Sequence, residues 1–168
     1  MRIRVLKELD IPQVANAHVS AWKRGFRGIL SDAYLDNLTV EQFEAVWHVV
    51  QNQQDRTNLV ADVDDQVIGF VAFGPTRGGD VDADNVGEIY GLYVHPDHWR
   101  MGAGGQLITE ALKQIKAQAY TEVILWTMTD NQISRGFYEK KGFCLDGATR
   151  ISERSGETFE EVRFKISL

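Results

Sequence analysis

The chain has 168 residues, of which 43% are hydrophobic, 10% aromatic and 25% charged, and its net charge is -6. That length fits one globular domain with a real core, and the mix excludes a disordered or fibrous chain. The acidic balance argues against a nucleic-acid partner, the single cysteine, Cys144, excludes an internal disulfide or cysteine-based zinc site, and no apolar run approaches the ~20 residues of a membrane helix.

The elements follow in chain order. "IRVLKELD" holds a short strand over residues 3–5. Asp10 then reads as an N-cap, with Pro12 tolerated in the first helical turn. Ile11, Val14, Ala15, His18 and Trp22 recur at helical spacing. "SDAYLDNL" and "TVEQFEAVWHVVQNQ" form a second helical region capped by Ser31 and Thr39, with Phe43, Val46, Trp47 and Val50 on one face. "NLVADV" and "QVIGFVAFG" are β-rich runs joined across Asp64 and Asp65 as a hairpin.

"PTRGGDVDADNVG" is a turn-rich, acidic loop, and "EIYGLYV" is a strand with Gly91 at its middle, where a bulge is expected. Leu107, Ile108, Ala111, Leu112 and Ile115 stripe the next helix. "EVILWTM" reads as a central strand covered on both faces. "DNQISRGFYEKKGF" is a short helix opened by Asp130 or Asn131, with Lys140 and Lys141 at its negative end and Gly142 as its stop. Its spacing puts Ile133 and Phe137 on the buried face and turns Tyr138 about 100° towards a flank. In the last run Val162, Phe164 and Ile166 alternate with Arg163, Lys165 and Ser167, as in a half-buried antiparallel strand. No repeat or linker divides the chain. The order predicts an α/β (α+β) fold, a mixed sheet with helices on both faces.

"HPDHWRMGAGGQL" carries the densest signal: Gly102, Gly104 and Gly105 crowd the start of a helix. A dinucleotide fingerprint would need a third glycine at position 107, which is Leu, and a nucleotide-hydrolase loop would need a following Lys-Ser or Lys-Thr. A plain helix turn remains open, although glycine costs roughly 1 kcal/mol in a helix relative to alanine. Bare amides at a helix N-terminus also make an anion site. His95 and His98 lack the ligand count of a metal site.

The bulged strand, this loop, a helix, a buried strand and "N-x-x-S-x-x-F-Y-E-K-K-G-F" together resemble the GNAT superfamily of acyl-CoA-dependent N-acyltransferases. The resemblance runs from "IRVL" to the last strand, and "AWKRGFRGILSDAYLDNL" is similar to the first two helices of a bacterial branch with unassigned substrates. It implies the GNAT fold: a single mixed, mostly antiparallel sheet of about seven strands, a central parallel splay, and about four helices on both faces. It further implies that residues 1–168 form one N-acetyltransferase domain. The donor implied is acetyl-CoA, with no metal. Its pantetheine arm would pair with the backbone of Leu92, Tyr93 and Val94, and its pyrophosphate would rest on the amides of Arg100, Met101, Gly102, Ala103, Gly104 and Gly105. Asn131 matches a polar cofactor contact, and a helix cap is its plainer role. Trp99 stands where the family prefers Gln or Arg.

Acyl transfer to an amine makes three chemical demands. An ammonium of pKa near ~10 must first lose a proton. The tetrahedral oxyanion needs donors, which a backbone N–H at the bulged strand can supply. The leaving thiolate needs a proton, and Tyr138 matches the family's general-acid position and its cofactor wall. Glu88 matches a position where a base often acts through water; an exposed strand-end glutamate is the alternative. Trp22, Phe26 and Tyr34, with Glu88, are candidates for the acceptor wall, and Tyr90 and Tyr93 for shaping the site. Asp80, Asp82 and Asp84 either attract a cationic amine or form a solvated loop. The expectation is an N-acetyltransferase for a small-molecule amine, or a peptide or protein amine, working by direct attack in a ternary complex. An acyl-CoA-sensing module and a nucleotide-binding protein are the rivals. A cytoplasmic location, no membrane or nucleic-acid partner and a possible homodimer complete it.

Overall fold

The computed structural model describes residues 1–168. Seven strands form one sheet in the order β1-β2-β3-β4-β5-β7-β6. They are β1 Arg2–Val5, β2 Thr57–Val63, β3 Gln66–Pro75, β4 Val86–Val94, β5 Glu122–Met128, β6 Cys144–Arg154 and β7 Glu157–Ser167. Only β4 and β5 run parallel; every other neighbouring pair is antiparallel. The helices are α1 Ile11–Gly25, α2 Asp32–Asp36, α3 Val40–Val50, α4 Ala103–Ala117 and α5 Gln132–Lys140. The second helical region therefore resolves into two helices, α2 and α3, each capped as expected: Ser31 Oγ accepts from Tyr34 N–H at 3.2 Å and Thr39 Oγ1 from Gln42 N–H at 3.3 Å. No helix is long and apolar enough to cross a membrane.

Two apolar layers sandwich the sheet. Phe70 and Ala72 of β3 join the layer of α1 and α3, while Val71 and Phe73 join the layer of α4 and α5. This alternation explains why β3 is apolar at consecutive positions. α4 buries Leu107, Ile108, Ala111 and Ile115, as its stripe predicts. α3 departs from its predicted face. Phe43 and Trp47 are buried, Val50 is half-buried, and Val46 is 53% exposed. The reason is a narrow contact: α3 leans on α1 and reaches the sheet through Trp47, whose ring lies 4.6 Å from that of Phe70.

Two further expectations are corrected. In α5 the buried residue is Tyr138, while Ile133 is 64% exposed and Phe137 only half-buried. The inward stripe of this helix is Asn131, Ser134 and Tyr138, three polar-tipped residues facing a cavity, so the apolar period pointed to the wrong face. In β7 Arg163 is buried, held by Asp146 at 2.6 Å and by Asp80, and does not face open water.

Candidate active site

The site begins where two strands part. β4 and β5 pair only from Val86↔Glu122 to Ile89↔Leu125, and β4 then runs on to Val94 without β5, paired with β3 alone. A bulge helps it turn away: Ala72 pairs with Gly91 and Phe73 with Ile89, so the extra residue is Tyr90, one position before the glycine. His95 N–H donates to Ile68 O on β3 at 2.8 Å. By strand alternation Leu92 and Val94 therefore turn their main-chain groups away from β3, into the gap. Tyr93 turns its own towards β3, so its main chain is not free for a cofactor arm, contrary to the expectation. The Val94 carbonyl is also engaged, accepting from the Trp99 indole N–H at 2.6 Å. Leu92 N–H and C=O and Val94 N–H remain.

The glycine loop lies at the start of α4. Gly102 is the N-cap residue, at φ 90, in the left-handed region where a side chain is strained. The first turn of main-chain bonding is Gln106 N–H to Gly102 O at 3.0 Å, which leaves the amides of Ala103, Gly104 and Gly105 without helical partners. A Cβ at Gly104 would stand 3.4 Å from the Phe137 ring and 3.6 Å from Leu92. A Cβ at Gly105 would stand 3.1 Å from Lys141 Nζ. The loop thus combines bare amides, a helix dipole and a lysine ammonium, a set suited to pyrophosphate. Lys141 escaped sequence reasoning, which used it only for the end of α5. Arg100 and Met101 are exposed. Trp99, the departure from the family pattern, is half-buried and ties the loop to β4 through its bond to Val94.

A cavity of about 460 Å³ opens beside the gap. Glu88, Leu92, Tyr93, Asn131, Tyr138, Trp22 and Phe26 line it together, while Val94 and residues 100–105 lie outside its walls. Tyr138 packs against Phe137, Phe143 and Phe164 at ring distances of 5.2, 5.7 and 6.2 Å. Burial first, and then the neighbouring Tyr93, push its phenol well above its ordinary value. Asn131 does cap α5, its Oδ1 accepting from Ser134 N–H at 3.1 Å, and it also lines the cavity. Glu88 is no exposed strand end; its side chain is 3% exposed. Its Oε2 accepts from the main-chain N–H of Arg77 at 2.8 Å and its Oε1 from the Arg77 guanidinium at 2.9 Å.

The opposite wall is made of side chains. Trp22 and Phe26 stack edge-on at 4.9 Å. Tyr34, half-buried in the same layer, stays outside the cavity. Asp80, Asp82 and Asp84 also lie outside it. Asp80 holds Arg163, and Asp82 accepts from the Asn85 side chain at 2.6 Å and from Asp84 N–H at 3.1 Å. In their place come Arg77 and a group on β6 and β7 that sequence reasoning missed: Arg150, Ser152, Glu153, Arg154 and Glu161. Glu161 Oε2 accepts from Arg150 Nε and from Ser152 Oγ, both at 2.7 Å. The Arg154 guanidinium lies over the Trp22 ring, 4.7 Å from its centroid. The only trace in the sequence is the spacing of Arg150, Ser152 and Arg154, every second residue of "TRISER". Tyr93 is pushed up to about 12, by burial against the opposing pull of Arg154 and of the nearby Trp22 N–H. Behind it, burial, then Arg154 and Arg56, push His18 down to about 3, so it stays neutral.

Comparison with known proteins agrees with this architecture. The sequence profile of the acetyltransferase (GNAT) family matches residues 22–143. A probable N-acetyltransferase of Mycobacterium tuberculosis is 33% identical over 151 residues, 89% of this chain and 83% of the relative. A spermidine N(1)-acetyltransferase of Thermoplasma acidophilum is 25% identical over 166 residues, 94% of this chain and 99% of that one. The crystal structure of the PaiA N-acetyltransferase of Thermoplasma acidophilum, in complex with coenzyme A, superposes with a TM-score of 0.78 at 23% identity, over 99% of this chain and 98% of that one.

Proposed function

The chain belongs to the GNAT acetyltransferase family, and from that premise we propose that it transfers the acetyl group of acetyl-CoA to the primary amine of a small molecule, residues 1–168 acting as one domain. The chain is an acyltransferase with acetyl-CoA as donor. The observation that carries the finer reading is the junction of two features. The strand gap and glycine loop offer bare main chain, and the adjoining cavity holds both Glu88 and Tyr138. The small-molecule acceptor is supported by the modest volume of that cavity, about 460 Å³, and by the name of the spermidine N(1)-acetyltransferase relative.

Acetyl-CoA supplies a thioester carbon open to attack. Leu92 N–H and C=O and Val94 N–H hold the pantetheine arm as an added strand, and the amides of residues 102–105 with Lys141 hold the pyrophosphate. Asn131 contributes a polar contact from α5. Glu88 takes the ammonium proton through a water, with Arg77 holding its carboxylate in place. The amine nitrogen then bonds to the carbonyl carbon, and a main-chain N–H at the Tyr90 bulge stabilises the oxygen as it gains charge. The C–S bond breaks, its electron pair stays on sulfur, and Tyr138 protonates that sulfur. Burial keeps Tyr138 protonated through the working pH range, as an acid must be. The second amine proton passes to solvent, which leaves the amide and free CoA.

A thiol-release assay over a panel of amines tests this, with Tyr138→Phe alongside. The wild type is expected to release CoA with at least one amine, and the variant to lose roughly 10²–10⁴-fold in kcat. Unchanged turnover would remove Tyr138 from the acid role. Tight acetyl-CoA binding with no transfer to any amine would instead identify an acyl-CoA-sensing module.

A further inference from the structure

The geometry points to an acceptor that carries a carboxylate as well as its amine, an amino acid, held by Arg154 with the help of the Trp22 indole N–H. This rests on the small-molecule reading above and names the class of molecule. The argument starts from the ion pairs in the cavity wall. Arg77 is held by Glu88, and Arg150 by Glu161. Arg154 makes no such pair. Its cross-strand neighbour Glu157 accepts instead from the hydroxyl and main-chain N–H of Ser31.

Arg154, exposed at the end of β6, is nonetheless drawn to the cavity, its guanidinium lying over the Trp22 ring. No carboxylate of the protein takes up its N–H fork, the group that grips a carboxylate with two parallel bonds. Its charge is felt across the site, since it opposes the burial of Tyr93 and adds to that of His18. A second feature lies beside it. Trp22 lines the cavity, and its buried Nε1, next to the Tyr93 hydroxyl, makes no full hydrogen bond within the protein. A buried unpaired donor is costly unless a ligand supplies the acceptor.

The same ledger disfavours a polyamine. Two of the three carboxylates in the wall, Glu88 and Glu161, already hold arginines, which leaves Glu153 alone to meet a cation. A polycation needs a surplus of carboxylates, which this wall lacks. Around the anchor stand Phe26, Trp126 and Phe159, apolar surface for an amino-acid side chain.

The test uses matched probes with the full chain and acetyl-CoA: L-phenylalanine against 2-phenylethylamine and L-phenylalaninamide, L-leucine against 3-methylbutylamine, and spermidine. The amino acids are expected to exceed their uncharged-tail counterparts in kcat/KM by on the order of 30-fold. That ratio should fall to near one in Arg154→Gln and be partly kept in Arg154→Lys. A preference for spermidine or the decarboxylated amines, or a ratio that survives Arg154→Gln, overturns the assignment. If nothing in the panel is acetylated, the transferase reading of this cavity fails separately. Calorimetry of L-phenylalanine with the CoA-bound protein then still decides: Arg154-dependent binding upholds the anchor, and its absence removes it.

Discussion

The two walls of the site, which joins the strand gap and glycine loop to the cavity, are built from different materials. The donor wall is main chain: the unpaired edge of β4 beyond Ile89 and the bare first turn of α4. The acceptor wall is side chain: Trp22 from α1 and Phe26 just past its end, Arg77 from the loop after β3, and Arg150, Arg154 and Glu161 from the β6–β7 hairpin. A main-chain site must keep side chains away, so it selects glycine over a short contiguous stretch and leaves a motif. A side-chain site draws single residues from distant segments. It can change its ligand by changing one residue at a time, and it leaves no motif.

This contrast can be broken from either side. The largest effect is expected at the donor wall. Gly105→Glu places a carboxylate among the amides that face the pyrophosphate, beside Lys141. Acetyl-CoA affinity should fall by on the order of 100-fold in calorimetry, through lost space and like-charge repulsion. The acceptor KM, extrapolated to saturating donor, should move far less.

Trp22→Phe tests the other wall. It keeps an aromatic ring under Arg154 and deletes the unpaired N–H. The acceptor KM should rise roughly five-fold, the worth of one hydrogen bond, with the acetyl-CoA KM unmoved. A change in both constants would mean that the walls are not separable.

Where the walls meet, the pH profile is informative. Burial holds the Tyr138 phenol above its usual 10.0, so the acid form persists throughout the neutral and mildly alkaline range. kcat/KM should therefore rise from pH 6 to pH 9 as the amine loses its proton, with no alkaline decline set by Tyr138. A decline below pH 9 would show that another group is the acid.

The smallest effect is structural. Trp99→Phe removes the donor to the Val94 carbonyl. It should cost about 1 kcal/mol, a melting-temperature loss of about 2–4 °C, while freeing a carbonyl on the donor edge.

What could be read from sequence follows the same division. The glycine loop, the chain order of the elements and the caps at Ser31, Thr39 and Asn131 were legible, because each depends on local backbone chemistry or on apolar periods; Asp10 makes no capping bond, and the parallel splay was implied by the family resemblance alone. Tyr138 was recognised by motif but misplaced in space. Hydrophobic spacing assumes that the inward face of a helix is dry, and the inward face of α5 meets a polar cavity, so Ile133 and Phe137 drew the reading to the wrong side. Tyr93 was credited with main-chain pairing that alternation gives to β3, and its contribution to the site is its ring. Trp99 read as a defect in a motif, and it closes the loop by a bond that spacing alone cannot show. Arg77, Arg154 and Glu161 were silent, since arginine and glutamate on loops and outer strands are ordinary in any acidic protein. Only folding brings them to one wall.

The central claim is that both substrates are bound together, across the strand gap and the adjoining cavity, and that the amine attacks the thioester directly. Initial velocities measured across a grid of acetyl-CoA and amine concentrations test it most directly. The account predicts intersecting double-reciprocal lines and no acetylated protein by mass spectrometry when acetyl-CoA is added alone. Parallel lines, with an acetyl group resident on the chain, would contradict it.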